Sequence, residues 1–280
     1  MALSIVDPSV DRSLRSVVVS LIAVFALAGG CRTAAPPIRF APPGTDTDRL
    51  RREFALTEAE RRALAPDTMR SLTQGQIDQI YTRLSAGPIP DGPFRGDLFF
   101  PRDRDGRARI RDLSDPAPNV LGPVAALPAE QFGRMFWRGK VFFRSQAIVR
   151  NRIEDLVILR PIISEAETVP KLTFDGQTTW LLFPARLSCG DSRFDPTRRS
   201  IVVDYSVTEQ IEGYRDLPDR VAGPKGLNIR DEVRVIRPGF YLGRAYFGPR
   251  FGLNFTLLDP ASGSGTASMA NVQDDCGGSR

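Results

Sequence analysis

The sequence predicts a mainly β protein, an antiparallel sheet closed into a barrel or sandwich and preceded by short helices. Three observations carry that expectation. Eight short apolar or alternating runs recur from residue 94 onward, separated by Gly, Pro and Asp. Helical character is confined to residues 55–88 and to AEQFGRMFW at 129–137. An open sheet of this size would leave unpaired edges, so closure is favoured.

The helical signals come first. Thr57 with Glu60 forms a capping box ahead of EAERRALA, and Thr73 with Gln76 repeats the device. Ile77, Ile80, Tyr81 and Leu84 then fall at i, i+3, i+4 and i+7, so this second helix should bury one face. It stops at Gly87-Pro88, and the turn-rich IPDG at 89–92 follows. The strand runs are FRGDLFF (94–100), KVFFRSQAIV (140–149), LVILRPII (156–163), TTWLLFPARL (178–187), SIVVDYSV (200–207), IRDEVRVI (229–236), FYLGRAYF (240–247) and FGLNFTLL (251–258). Gly239 and Gly243 mark expected turns or strand bends. Residues 261–280 are Gly/Ser-rich and are expected to be a disordered tail.

The first thirty residues read as a lipoprotein signal peptide. Arg12 and Arg15 precede an uncharged run from Ser16 to Gly30, shorter than the about 20 apolar residues of a comfortable bilayer span. The run ends in Leu27-Ala28-Gly29-Gly30-Cys31, a lipobox: small residues admit an extended backbone to a peptidase, and the Cys31 thiol is the nucleophile for lipid transfer. Stable tethering takes more than one acyl chain, as a triacylated cysteine supplies. The expected location is the bacterial cell envelope. Arg32, where an aspartate would retain the protein at the inner membrane of enteric bacteria, points to the outer membrane, with the domain facing the periplasm. On this reading residues 31–54 form a lipidated N-terminus and Pro-rich tether, 55–88 a helical extension, and 89–260 the barrel.

Composition excludes several classes. The formal charge is +5, but basic residues are interleaved with acidic ones, as in RDRDGRARIRD at 102–112, which argues against nucleic acid as a partner. The chain has no histidine, which excludes Ser-His-Asp and Cys-His catalysis and His-ligated zinc. WRGK at 137–140 lacks the glycines and Ser/Thr of a phosphate-binding loop. No metal site and no cofactor is expected. Once Cys31 is lipidated, Cys189 and Cys276 are the remaining thiols; in an oxidising envelope they are a candidate disulfide, the alternative being two unpaired cysteines.

The residues that could carry chemistry lie between 200 and 258, with Trp180 added as a lining residue. Alternation puts Asp231 on the face of Ile229, Val233 and Val235, with Arg230, Glu232 and Arg234 opposite. Asp204 lies with Val202, Tyr205 with Ile201 and Val203, and Arg244 with Phe240, Leu242 and Tyr246. A charge among aliphatic side chains is costly unless paired, so Asp231 or Asp204 should meet Arg244 or another arginine. Three readings remain open. In the first, the polar set only neutralises itself inside a packed barrel. Alternatively Asp204, Tyr205, Asp231, Arg244, Tyr246 and Trp180 form a ligand pocket, or Asp204 and Asp231 do acid–base work as in a glycoside hydrolase.

IPDGPFRG (89–96), WRGKVFF (137–143), SIVVDYSVT (200–208), IRDEVRVIRPGFYLGRAYF (229–247) and FGLNFTL (251–257) together resemble a family of uncharacterised bacterial proteins. Its blocks run W-x-G-K-x-F, a "DY" strand, then "RDE-R-x-x-x-P-G-x-Y-L-G". The resemblance spans residues 75–258 and implies a lipocalin- or calycin-like barrel of eight to ten strands, with no activity to transfer. It marks Asp204, Tyr205, Arg230, Asp231, Glu232, Arg234, Gly239, Tyr241 and Gly243 as pattern positions. Residues 184–199 and 209–227 depart from the pattern and could reshape a barrel mouth. The expected function is that of a membrane-tethered lipoprotein binding a small apolar or amphipathic ligand, lipid included. A non-catalytic envelope scaffold and a carboxylate-dependent hydrolase are the alternatives.

Overall fold

The computed structural model describes residues 37–102, 136–154, 168–262 and 268–277, together with Gly133 and Ile163. Four short helices come first: α1 (Thr47–Glu53), α2 (Glu58–Ala63), α3 (Pro66–Ser71) and α4 (Gln74–Arg83). Both predicted capping boxes form, at Thr57/Glu60 and Thr73/Gln76. Pro66 starts α3 at a position whose amide would have no helical partner. The tether expected to run to residue 54 already folds: Ile38 and Phe40 pack on the helical cluster and Leu50 of α1 is buried.

Nine strands follow: β1 (Gly92–Phe99), β2 (Trp137–Phe143), β3 (Ile148–Ile153), β4 (Lys171–Phe174), β5 (Gln177–Asp191), β6 (Arg199–Asp204), β7 (Ile229–Arg237), β8 (Phe240–Phe247) and β9 (Arg250–Leu258). A one-turn helix, α5 (Asp216–Asp219), lies between β6 and β7. Each strand pairs antiparallel with the next except β3, which pairs with β5 past the β4–β5 hairpin, and β9 pairs back to β1. The result is a closed, eight-stranded, up-and-down barrel. KVFFRSQAIV, one run in the sequence, is the end of β2, a 3-10 turn and the start of β3, reversed at Ala147 in the left-handed region. All of LVILRPII but Ile163 and most of AEQFGRMFW fall outside the described residues, and Trp137, the last residue of the latter, opens β2.

Alternation sorts side chains to the two faces of the wall. Inward point Phe94, Leu98, Phe142, Val149, Ala185, Leu187, Ile201, Val203, Val233, Val235, Tyr241, Ala245, Phe255 and Leu257. Rings touch edge-to-face inside, Phe94 with Phe142 and Tyr241, and Trp137 with Phe255. Gly243 is not a bend: a Cβ there would lie 2.1 Å from the Phe255 ring, so the glycine makes room for that ring. Outward-facing Ile236, Phe240 and Leu242 are covered by Leu64, Met69, Ile77, Ile80, Tyr81 and Leu84 of the helical layer. The helices thus bury the outer face of β7 and β8.

Gly139 sits at a bulge in β2 with φ of 120°, where its missing Cβ would be 2.2 Å from the carbonyl oxygen of Phe94 and 2.5 Å from the amide nitrogen of Gly96. Gly139→Ala is expected to destabilise the fold by about 3 kcal/mol, through left-handed strain plus backbone overlap, read as a lower urea midpoint.

The N-terminal segment is held by Glu60. Its carboxylate accepts from Arg39 (backbone N and side chain) and from Thr57 (N and Oγ1), with 3% of the side chain exposed. Burial alone would raise its pKa; the bonds from Arg39 and Thr57 outweigh that and hold it at about 2. An unfolded glutamate protonates near ~4.3, so this contribution is complete above that pH and is lost as pH falls toward 2. Hydrogen exchange of residues 37–60 should therefore accelerate in that window, and Glu60→Gln should flatten the dependence.

The tail is not free of structure. Cys189 and Cys276 form a disulfide, with Cys276 1% exposed against the barrel core. Around it the Asp275 amide donates to Gly87 O, and the Asp275 carboxylate accepts from Ile89 N and pairs with Arg144 at 2.9 Å. Ser268 and Met269 N both donate to Glu58 of α2. Composition suggested disorder because a Gly/Ser-rich segment cannot build its own core; this one borrows the barrel's.

Candidate functional site

A hydrogen-bonded cluster of buried polar groups lies inside the barrel. Lys140 and Asp231 are 2% and 5% exposed in their side chains, and Lys140 Nζ stands 2.8 Å from Asp231 Oδ2. Their strands, β2 and β7, are four places apart in the eight-membered ring in either direction. The ion pair therefore crosses the lumen from wall to opposite wall.

Three further residues complete the network. Lys140 Nζ also donates to Asn151 Oδ1 at 2.9 Å and to Tyr205 OH at 2.7 Å, which uses all three of its protons. Asn151 accepts a second bond from Trp137 Nε1 at 2.8 Å and donates from Nδ2 to Tyr205 OH and to Phe183 O. Tyr205 OH then donates to Asp231 Oδ2 at 3.4 Å. Rings of Trp137, Tyr205 and Phe255 stand 5.4 to 5.7 Å from the ammonium.

The electrostatics follow from this enclosure. Burial alone would lower the Lys140 pKa, but Asp231 and Tyr205 outweigh it and hold the ammonium above the usual lysine range. Burial pushes the Tyr205 phenol up to about 12 against the opposing pull of Lys140, so the hydroxyl keeps its proton as a donor. The donors of Lys140, Asn151, Trp137 and Tyr205 are all committed to one another or to Asp231 and Phe183. Such a set fixes the core, and no N–H or O–H proton of Lys140, Asn151, Trp137 or Tyr205 is left without an acceptor.

The residues expected to form one pocket are divided among three places. Asp231 and Tyr205 meet inside, as alternation places them. Asp204 points outward and caps the amide of Ser206 at 2.8 Å. Arg244 and Tyr246 are also outside. Arg244 is clamped between the rings of Phe194 and Phe251, 4.1 Å from each, and donates to Asp78 of α4 at 2.5 Å. Trp180 packs with Ile153, Ile163, Val169 and Leu182, its ring under the ammonium of Lys171.

Two expectations are thereby corrected. The partner of Asp231 is a lysine from β2, because Arg244 projects from the opposite face of the wall. Asp204 and Asp231 are not a facing carboxylate pair, since one lies outside and the other is neutralised inside. Lys140, Asn151 and Trp137 were not singled out by the sequence as site residues. The available signal was Lys140 itself, one of three lysines in the chain and in alternation with core Phe142.

The site defines a class: an up-and-down barrel whose lumen is spanned by a hydrogen-bonded ion pair. No family model, curated protein or solved structure matches this chain. Among the described residues, no group of three or more Cys, Asp or Glu could hold a metal ion, and no helix is long and apolar enough to cross a membrane.

Proposed function

We propose that the protein is a lipoprotein of the bacterial envelope, anchored through Cys31, whose barrel is a packed scaffold that presents its outer surface and loops to a partner. The observation that carries the scaffold reading is the Lys140–Asp231 bridge, which fills the lumen at its level with committed polar groups and rings. A carrier of apolar molecules in the lumen, the reading expected from the polar residues, would need that space. The lipobox ending in Cys31 supports the anchor and, with Arg32, an outer-membrane location facing the periplasm.

Connection lengths favour a presenting surface. The start of β1, the end of β9 and the short hairpins after β2, β5 and β7 lie at one end of the barrel, because neighbouring strands of the ring alternate direction. The long connections after β1, β3 and β6 all leave from the other end. The resemblance to uncharacterised lipocalin-like proteins concerns the barrel; the scaffold reading rests on what fills it.

Native mass spectrometry of the purified chain, followed by lipid extraction, tests the choice. The scaffold predicts no copurifying lipid and no uptake of a fluorescent fatty acid; stoichiometric bound lipid would sink it. Labelling with an alkyne fatty acid tests the anchor: label in the membrane fraction, lost in Cys31→Ala, is expected, and an unlabelled soluble protein would refute it.

A further inference from the structure

The barrel leaves one strand edge open. Because β3 pairs with β5, β4 stands outside the ring, bonded to β5 alone. The β4–β5 hairpin closes on Phe174 and Gln177 across the two-residue turn Asp175-Gly176, with φ of 54° and 72°. Such a turn makes Phe174 and Gln177 a hydrogen-bonded pair, and along the ladder these alternate with pairs that are not bonded. Leu172 therefore also turns its backbone to β5, and Pro170 O accepts from Leu181 N in the same phase. The amides and carbonyls of Lys171 and Thr173 point the other way, and among the described residues nothing bonds to them.

The side chains of this edge follow the same alternation. Leu172 and Phe174 are half-buried on the face toward the wall, where the Phe174 ring centroid lies 4.7 Å from the Arg152 guanidinium of β3. Lys171 and Thr173 are exposed on the other face, and Thr173 Oγ1 meets Thr178 Oγ1 at 2.9 Å. Lys171 makes no ion pair among the described residues; its ammonium rests 5.3 Å from the Trp180 ring centroid. At the far end of the edge Asp175, 39% exposed, pairs with Arg95 of β1. A carboxylate has acceptor sites for a second cation besides. The edge thus runs from an unpaired ammonium to an exposed carboxylate.

We propose that the edge of β4 pairs with the same edge of a second copy, antiparallel about a two-fold axis at Thr173. In that register Thr173 stands opposite its own counterpart, and their outward amides and carbonyls exchange two bonds. Leu172 stands opposite Phe174 of the other copy, and Lys171 opposite Asp175, so two apolar pairs and two ion pairs form. Each copy contributes the same patch, as a two-fold interface requires. A slip of two residues sets Lys171 against Thr173 and Asp175 against Val169, which loses the charge match. A lysine on an edge strand disfavours strands that lack a matching carboxylate, so the pairing is selective. An edge this short buries little area, and the dimer is weak in solution. The second copy gives the scaffold a partner, on grounds that rest on the edge and not on the anchor.

Cysteine cross-linking gives the test. In the full chain with Cys31→Ala, Thr173→Cys carries the one unpaired thiol, because Cys189 and Cys276 are bridged. Opposed Cα atoms of a hydrogen-bonded pair lie about 5.5 Å apart, within the span of a disulfide. Mild oxidation in detergent should give a covalent dimer on a non-reducing gel, whereas Ser71→Cys, exposed on α3, should stay monomeric. Adding Lys171→Glu should slow dimer formation about tenfold, since two attractions become two repulsions. Light scattering of the Cys31→Ala chain is the second readout: its mean mass should rise with concentration, and less so with K171E. No dimer from T173C, an equal one from S71C, or a rate unchanged by K171E would each overturn the interface. Cross-linking of T173C only to a different protein in whole cells would give the edge to another partner and refute the second copy. With Cys31 absent throughout, none of these outcomes depends on acylation.

Discussion

Lys140→Met is expected to remove about 3–5 kcal/mol of unfolding free energy, because it leaves the Asp231 carboxylate buried without its partner. Tyr205 and Asn151 lose a donor in the same step, so the cost is that of a network rather than of one pair. Asp231→Leu alone should cost a comparable amount by stranding the ammonium. The double variant should recover part of the loss, since a buried ion pair replaced by apolar groups is often tolerated. Urea unfolding of the four proteins closes a double-mutant cycle, and a strongly non-additive result is expected. A single-variant cost below about 1 kcal/mol would mean that water reaches the pair. It would return weight to an open, ligand-holding lumen.

Cys276→Ser is expected to cost about 4 kcal/mol, from the chain entropy that a cross-link over 87 residues withholds from the unfolded state. The same loss should appear in the wild type with a thiol reductant and in Cys189→Ser, while reductant should leave both variants unchanged. The variant should also free residues 268–277 to exchange, because the bonds from Asp275 to Ile89 and Arg144 cannot alone offset the entropy of the segment. A midpoint insensitive to reductant would show that the tail is held by its packing instead.

Local signals in the sequence were read at full strength where the structure is local. Both capping boxes were legible because the partners are three residues apart, and the buried face of α4 because its period is that of a helix. The inward face of β7 was legible by alternation, which put Asp231 inside before any partner was known. Partner choice was not. Lys140 and Asp231 are 91 positions apart, and only the ring order of strands makes them opposite. Arg244 looked like a partner because it stands among apolar neighbours, yet those neighbours face a helical layer rather than the lumen. Alternation states which residues share a face; it does not state which face is the inside when both are buried. Gly243 was misjudged for a related reason, since its use depends on a ring from the neighbouring strand.

The pairing of β9 with β1 makes the starting strand of the ring arbitrary. Glu58 of α2 already touches Ser268 and Met269 of the tail, so the helical layer before β1 and the segment after β9 run side by side. A circular permutant that joins them and reopens the chain at the tight turn between β8 and β9 would conserve every pairing of the wall except that hairpin's covalent link. Its new termini would emerge where the long connections leave, at the end opposite the start of β1 and the end of β9. A reporter or affinity handle placed there would sit on the surface proposed to meet the partner.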